Sequence, residues 1–194
     1  MSVNIIELLS HHQGISSLPK IDPNTQDVEE TQKHDSNRLL QAAIPAILAG
    51  FYQFSRNDDD AQIIAQQKED SDWIGLLYGK EKQVLIEKIA EYASVPAQVA
   101  ETKMEAIALD ALRLLRINAS PATGAGIKSL LTNERHNILN HLPGAIGIGN
   151  ILNDSTLDDR TNKMEGPVSS FMHAIEKQFA STNIAETKKA ESGK

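Results

Sequence analysis

Apolar residues recur at steps of three and four along much of the chain, which is the spacing of one face of an α-helix. The widest stripe lies between Pro96 and Ile117 and predicts a long helix that packs on at least two neighbours. Its members are Ala100, Met104, Ile107, Ala108, Ala111, Leu112, Leu114 and Leu115. Met104 is therefore interpreted as a core residue and not as a cofactor contact.

Shorter stripes predict further helices on both sides of this one. Asp35 or Ser36 can cap the helix that contains Leu40 and Phe54, and Pro45 within it predicts a kink or a break. The other predicted helices are Val3–Ser10, one from Asp72 that Gly79 closes, Lys80–Ala93, a short pair Ile127–Leu131 and Ile138–Leu142 around Thr132–Asn133, and Val168–Phe179 after Gly166–Pro167.

These elements predict an all-α fold of about 7–9 helices. The helical domain spans residues 1–152 as two related repeat units, about 3–68 and 71–152, with a long, flexible N-terminal loop at 15–35. Residues 153–166 are expected to form a linker, 167–180 an amphipathic helix, and 181–194 a disordered tail without apolar periodicity.

Composition narrows the function classes. The 194 residues carry a formal net charge of −7, so the basic surface that nucleic-acid binding requires is not expected. There is no cysteine, which excludes disulfides and thiolate chemistry. The N-terminus has no basic, then apolar, signal pattern, and the longest apolar run, Ala42–Phe51, is about half the length of a membrane span. We therefore expect a cytoplasmic protein without an integral membrane segment.

Candidate metal ligands do not have the spacing that metal sites need. Three carboxylates follow Asn57, but an EF-hand loop counted from Asp58 needs glycine where Ile63 stands. These carboxylates are instead typical of a helix N-terminus. The histidines, which include the pairs His11–His12 and His136 with His141, lack the His-Glu-x-x-His spacing of a helical zinc site, and His34 and His173 are isolated.

Catalytic and cofactor motifs are also not found. Glycines alternate with isoleucine from Gly144 to Gly149, but no strand precedes them as a phosphate-binding loop would require, so we expect a close-packed or flexible apolar hinge. Glu101 and Glu105 lie one helical turn apart and could share a proton, yet Lys103 beside them favours a solvated face. The sequence therefore predicts no catalytic, cofactor-binding or metal-binding residue.

The chain repeats part of its own pattern. Ala43–Tyr52 and Ala106–Leu115 align without gaps as AIPAILAGFY and AIALDALRLL. Trp73–Leu115, with its Leu76–Gly79 opening and Val95–Pro96 turn, resembles the repeat unit of the bacterial YidB-like family of helical domains of unknown function. This resemblance extends over roughly Val3–Leu152 and implies an all-helical fold, but no catalytic residue.

Three functions are compatible with this sequence. The favoured one is a non-enzymatic module for protein–protein interaction or self-assembly, through the face of Gly144–Leu152 or the helix Val168–Phe179. The second is an enzyme whose site is scattered over several helices. The third is peripheral membrane association through Val168–Phe179, whose polar face carries Lys177 but also Glu176 and so lacks a basic bias.

Overall fold

The computed structural model of the chain describes residues 3–29 and 37–158. Within these ranges the fold is all-α, as predicted, and the only β-type pairing is an isolated bridge between Ile21 and Val28. The helices are α1 (Ile5–His12), α2 (Arg38–Ser55), α3 (Asp58–Gln66), α4 (Trp73–Tyr78), α5 (Lys82–Ala93), α6 (Ala97–Asn118), α7 (Gly124–Leu139) and the single turn α8 (Ile148–Ile151). The predicted C-terminal helix 167–180 and tail 181–194 lie outside the described residues, as does most of the linker 153–166.

Helix α2 is the centre of the fold. Every residue from Leu40 to Phe51 is buried, and α2 packs on each of the helices α1 and α3–α7. A helix that is apolar on all sides is stable only when it is enclosed in this way. It runs without interruption through Pro45, so the predicted break does not occur.

Helix α4 approaches α2 closely because Gly50 has no side chain. A Cβ atom on Gly50 would lie 2.8 Å from the ring of Tyr78, a distance that real Cβ contacts do not show. The Tyr78 hydroxyl donates a 2.5 Å hydrogen bond to the carbonyl oxygen of Ala46. Burial raises the pKa of Tyr78, so the hydroxyl keeps the proton that it donates.

Most helices begin at a residue whose side chain accepts a hydrogen bond from the first turn. Asp72 caps α4 as predicted, since its Oδ1 accepts from the backbone N–H of Gly75 at 2.8 Å. Asn37 caps α2 in place of the predicted Asp35 or Ser36. Asparagine and threonine caps also begin α1, α3 and α7.

Helix α7 is one continuous helix from Gly124 to Leu139, so the prediction of a short helical pair is wrong. Its buried face contains Ile127, Leu131 and Ile138, with Glu134 between them. A glutamate in an apolar stripe interrupts the sequence pattern without interrupting the helix. The carboxylate is tolerated because Glu134 Oε2 accepts hydrogen bonds from the N–H of Ile5, at 3.1 Å, and from Asn137 Nδ2, at 2.9 Å.

Removal of the Glu134 carboxylate is expected to destabilise the fold. Glu134→Ala leaves the buried N–H of Ile5 without its acceptor, which costs about 1–3 kcal/mol of unfolding free energy. Glu134→Gln keeps an oxygen at the same place and should lose less. Urea unfolding followed by circular dichroism measures both, and equal losses would show that the hydrogen bond to Ile5 contributes nothing.

The long, flexible N-terminal loop predicted at 15–35 is not supported. Leu18, Ile21 and Val28 are buried, and the Ile21 N–H donates to the carbonyl oxygen of Asn140 at 2.8 Å. The Nε2 of buried Gln41 also holds this segment, through a 3.1 Å hydrogen bond to the carbonyl oxygen of Pro19. Residues 13–29 are therefore an irregular segment that buried side chains and hydrogen bonds anchor to the core, and residues 30–36 lie outside the described residues.

The predicted duplication is compatible with this arrangement but is not tested by it. The aligned segments Ala43–Tyr52 and Ala106–Leu115 lie in α2 and α6, which pack on each other. A single hydrophobic cluster includes residues of both predicted units. The two units thus share one core, and their common origin stays a prediction.

Candidate functional site

The described histidines are spread over separate parts of the fold. His11 and His12 end α1 and are exposed, His136 is exposed on α7, and His141 is buried just after α7. Among the residues that the structure describes, no group of three or more histidine, aspartate or glutamate side chains is placed to hold a metal ion. His34 and His173 lie outside that part of the chain.

His141 is a structural residue. Its Nδ1 lies 2.8 Å from the carbonyl oxygen of Asn137, one turn earlier. Burial lowers the pKa of His141 despite this hydrogen bond, so the ring is neutral at pH 7 and Nδ1 carries the proton that Asn137 accepts. Its own carbonyl oxygen accepts from Gln41 Nε2 at 2.6 Å, which ties the end of α7 to α2.

The three aspartates after Asn57 begin α3, as the sequence indicates. The Asn57 side chain accepts from the backbone N–H groups of Asp59 and Asp60, at 2.8 and 3.3 Å. Lys128 on α7 approaches Asp58 at 2.7 Å. These carboxylates therefore stabilise a helix terminus and a surface ion pair.

The glycine-rich stretch is a tightly packed turn. Gly147 has a φ of 60°, which favours glycine. A Cβ atom on Gly149 would lie 2.5 Å from Asp158 Oδ2, and the N–H of Gly149 donates to Asp158 Oδ1 at 2.8 Å. Ile146 and Ile148 are fully buried. Of the two interpretations left open by the sequence, close packing is the one that these contacts support.

An open groove lies between α6 and the segment that joins α3 to α4. Its volume is about 500 Å³. We call it the α6 groove; its lining residues are Glu69, Asp70, Ser71, Asp72, Trp73, Ile74, Thr102, Glu105, Ala106, Ala108 and Leu109. This volume is within the range of about 300–1,000 Å³ that small-molecule and peptide side-chain pockets occupy.

One face of α6 forms the long wall of the α6 groove. Thr102, Glu105, Ala106 and Leu109 are spaced by three, one and three residues, so they line up along the helix. At 1.5 Å per residue, Thr102 to Leu109 spans about 10 Å. The small side chain of Ala106, which is exposed, keeps the middle of the wall open.

The floor of the α6 groove is apolar and rigid. Trp73 is 3% exposed and its ring packs on Phe51 of α2 with a centroid separation of 5.7 Å. Ile74 and Ala108 complete the floor and are almost fully buried. The indole Nε1–H of Trp73 is buried and has no acceptor among the described residues. An unsatisfied buried donor is unusual in a folded protein.

An ion-pair cluster closes one end of the α6 groove. Lys82 Nζ of α5 lies 3.2 Å from Asp72, 3.4 Å from Glu101 and 3.9 Å from Glu105. Burial alone would lower the pKa of Lys82, but the hydrogen bonds and charges of Asp72 and Glu101 outweigh it and raise the pKa. Glu101 and Glu105 are therefore ion-pair partners of the same lysine.

A second ion pair closes the other end. Arg113 Nη2 and Nε donate to Glu69 Oε2, at 2.8 and 3.0 Å. The hydrogen bond from Arg113 holds the pKa of Glu69 below its usual value, and the hydrogen bond from the N–H of Gly75 does the same for Asp72. Both rim carboxylates are thus ionised at neutral pH. The Arg116 guanidinium donates to the carbonyl oxygens of Ile64 and Gln67 and fixes the start of this rim.

The α6 groove was not predicted from the sequence. Two signals point to it in retrospect: the acidic run from Glu69 to Asp72 between two helices, and the polar or small face of α6 opposite its core stripe. Neither signal identifies a concave surface, because whether residues 69–74 lie opposite α6 depends on how α4 packs on α2.

Comparisons with known proteins do not assign the chain to a family. No protein-family model matches the chain, and neither a search of curated proteins nor one of solved structures found a match. Across residues 3–29 and 37–158, no helix combines the length and hydrophobicity that crossing a bilayer requires.

Proposed function

We infer that the protein is a non-enzymatic helical module that binds a segment of a protein partner in the α6 groove. The observation that carries this inference is the composition of the groove, with a rigid apolar floor at Trp73 and Ile74 and a rim of carboxylates. Grooves that accept peptide segments have this combination of apolar contact area and a few oriented polar groups.

The enzyme alternative has less support. Catalysis needs an acid, base or nucleophile within hydrogen-bond reach of a common point, with a pKa matched to its task. In the α6 groove the carboxylates of Glu69 and Asp72 are held ionised by Arg113 and by Gly75 with Lys82. The described histidines line no part of it.

The two interaction surfaces favoured by the sequence have less support than the α6 groove. Within Gly144–Leu152 the side chains of Ile146, Ile148 and Ile151 are buried, so they offer no exposed apolar face. The helix Val168–Phe179, on which the membrane alternative also depends, lies outside the described residues. Membership of the YidB-like family, with its bacterial origin, and a cytoplasmic location remain proposals that rest on the sequence.

Blocking the α6 groove is expected to abolish partner binding. Ala106→Trp places a large side chain in the middle of the groove wall without touching the core, because Ala106 is exposed. Ala97→Trp, at an exposed position outside the groove on the same helix, is the matched control. Affinity capture from native lysate, with light scattering of the purified proteins, compares both variants with the wild type.

The result expected is that a partner or second copy captured by the wild type and by Ala97→Trp is lost with Ala106→Trp. Retention of every partner by Ala106→Trp would show that the α6 groove is not the binding surface. Circular dichroism confirms that both variants keep the helical fold, so that a loss is assigned to the groove.

A further inference from the structure

The charges of the α6 groove are unbalanced. Its lining residues include four carboxylates, from Glu69, Asp70, Asp72 and Glu105, against the two cations, Lys82 and Arg113, that close its ends. A cleft with an excess of one sign of charge over a low-dielectric floor concentrates counter-ions of the opposite sign. The electrostatics therefore select a cationic occupant.

The four carboxylates are not equivalent. Glu69 is paired with Arg113, and Asp72 is paired with Lys82 and caps α4, so these two are engaged in holding the groove together. Asp70 makes no hydrogen bond or ion pair with the residues that the structure describes. Glu105 approaches only the shared Lys82, at 3.9 Å. Asp70, and Glu105, whose contact with Lys82 is the longest of the three, are thus the carboxylates best placed to recognise a ligand.

The size of the α6 groove limits the occupant. The ion pairs of Lys82 and Arg113 stand at its two ends, and the open wall between them is about 10 Å long. An extended chain covers this distance in about three residues. The apolar floor at Trp73, Ile74 and Ala108 is suited to contact with an aliphatic side chain.

We propose that the α6 groove binds a short basic segment of a partner protein, in which an apolar side chain enters the floor and flanking lysine or arginine side chains pair with Asp70 and Glu105. This chemistry rests on the proposed function, because it specifies the partner that the helical module takes. The ion pairs of Glu69 and Asp72 position the rim, and they are not themselves the recognition residues.

The chain contains a built-in reporter of occupancy. Trp73 is the only tryptophan, so its fluorescence comes entirely from the floor of the α6 groove. The probe is the blocked peptide acetyl-Lys-Leu-Arg-Leu-Lys-amide, titrated into the full chain at low salt. We expect a saturable change in indole emission that weakens as salt is added, because exposed charge pairs are screened. Acetyl-Glu-Leu-Glu-Leu-Glu-amide should give no change.

Variants and a second peptide then separate the contribution of charge to peptide binding from that of apolar contact. Asp70→Asn with Glu105→Gln should weaken binding of the basic peptide about tenfold, as expected for two exposed charge pairs. The matched control is Asp59→Asn with Glu91→Gln, two exposed carboxylates outside the groove, which should bind like the wild type. Penta-lysine should bind more weakly than the mixed peptide, since it has no apolar side chain for the floor.

Each contrary outcome has a distinct meaning. If the double variant binds the basic peptide as tightly as the wild type, or penta-lysine binds equally well, the proposed recognition is wrong. If no basic peptide binds but Ala106→Trp still loses the captured partner, the chemistry is wrong and the proposed function stands. If Ala106→Trp changes neither peptide binding nor capture, both are overturned.

Discussion

Ile107→Asp is expected to abolish folding. Ile107 has no exposed surface and lies in the middle of α6, so a carboxylate there would be buried without a partner. The cost exceeds about 4 kcal/mol, which is a large part of the roughly 5–15 kcal/mol by which a domain of this size is stable. Circular dichroism of the purified variant at 25 °C, with a thermal scan, measures the loss.

Ile117→Asp is the control for this experiment. It makes the same chemical change in the same helix, but Ile117 is 77% exposed. Its melting temperature should stay within a few degrees of the wild type. The apolar stripe also predicts burial of Leu114, which is only partly buried, so Leu114→Asp should be less harmful than Ile107→Asp. Cooperative unfolding of Ile107→Asp at the wild-type temperature would contradict the burial of this face.

Phe51→Ala is expected to be the most damaging truncation around the α6 groove. Phe51 is fully buried in α2 and supports the ring of Trp73 from behind. Removing its ring leaves a cavity and costs about 3–5 kcal/mol of unfolding free energy. Urea unfolding measures this loss, and the emission of Trp73 in the folded variant reports whether the groove floor has moved.

Phe54→Ala is the matched truncation on the same helix. Phe54 is only partly buried, so the cavity is smaller and the surrounding side chains can close over it. Its loss of stability should be clearly smaller than that of Phe51→Ala, and the emission of Trp73 should be unchanged. Equal losses of unfolding free energy for the two variants would show that burial of Phe51 contributes no more to stability than burial of Phe54.

The helices could be predicted from the sequence because most of them have regular periods and clear ends. The stripe of α6 is regular over 22 residues, and Asp72 and Gly79 mark the two ends of α4. Burial of Met104 was likewise predicted and is confirmed. Local signals are enough here because cap, period and termination all agree.

The sequence predictions fail where a segment is held in place by hydrogen bonds to residues far away in the chain. Glu134 lies in the predicted gap between two short helices, yet α7 continues through it and Ile5 supplies a donor to its carboxylate. Residues 15–29 belong to the flexible loop predicted at 15–35, yet Gln41 and Asn140 hold them to the core. Such partners cannot be found from periodicity, which considers only neighbours within a few turns.

The α6 groove is predictable only in part, for a related reason. Its carboxylates are visible in the sequence as charged positions, but whether they face solvent or a common cleft depends on tertiary packing. Glu105 is an example: Lys103 nearby in the sequence favours a solvated face, and only the position of Lys82 on α5 shows that Glu105 belongs to a rim.

The bond between Ile5 and Glu134 also has a consequence for the order of folding. Its partners are 129 positions apart, and the bond from Gln41 to His141 spans 100 positions. Contacts between residues so distant in sequence carry a large loop-closure entropy and slow the search for the native state. During synthesis, α1 cannot receive its acceptor until α7 has emerged from the ribosome. Helix α1 is the first described helix to be synthesised. It therefore gains its hydrogen bond to Glu134 only after almost all of the described chain has been made.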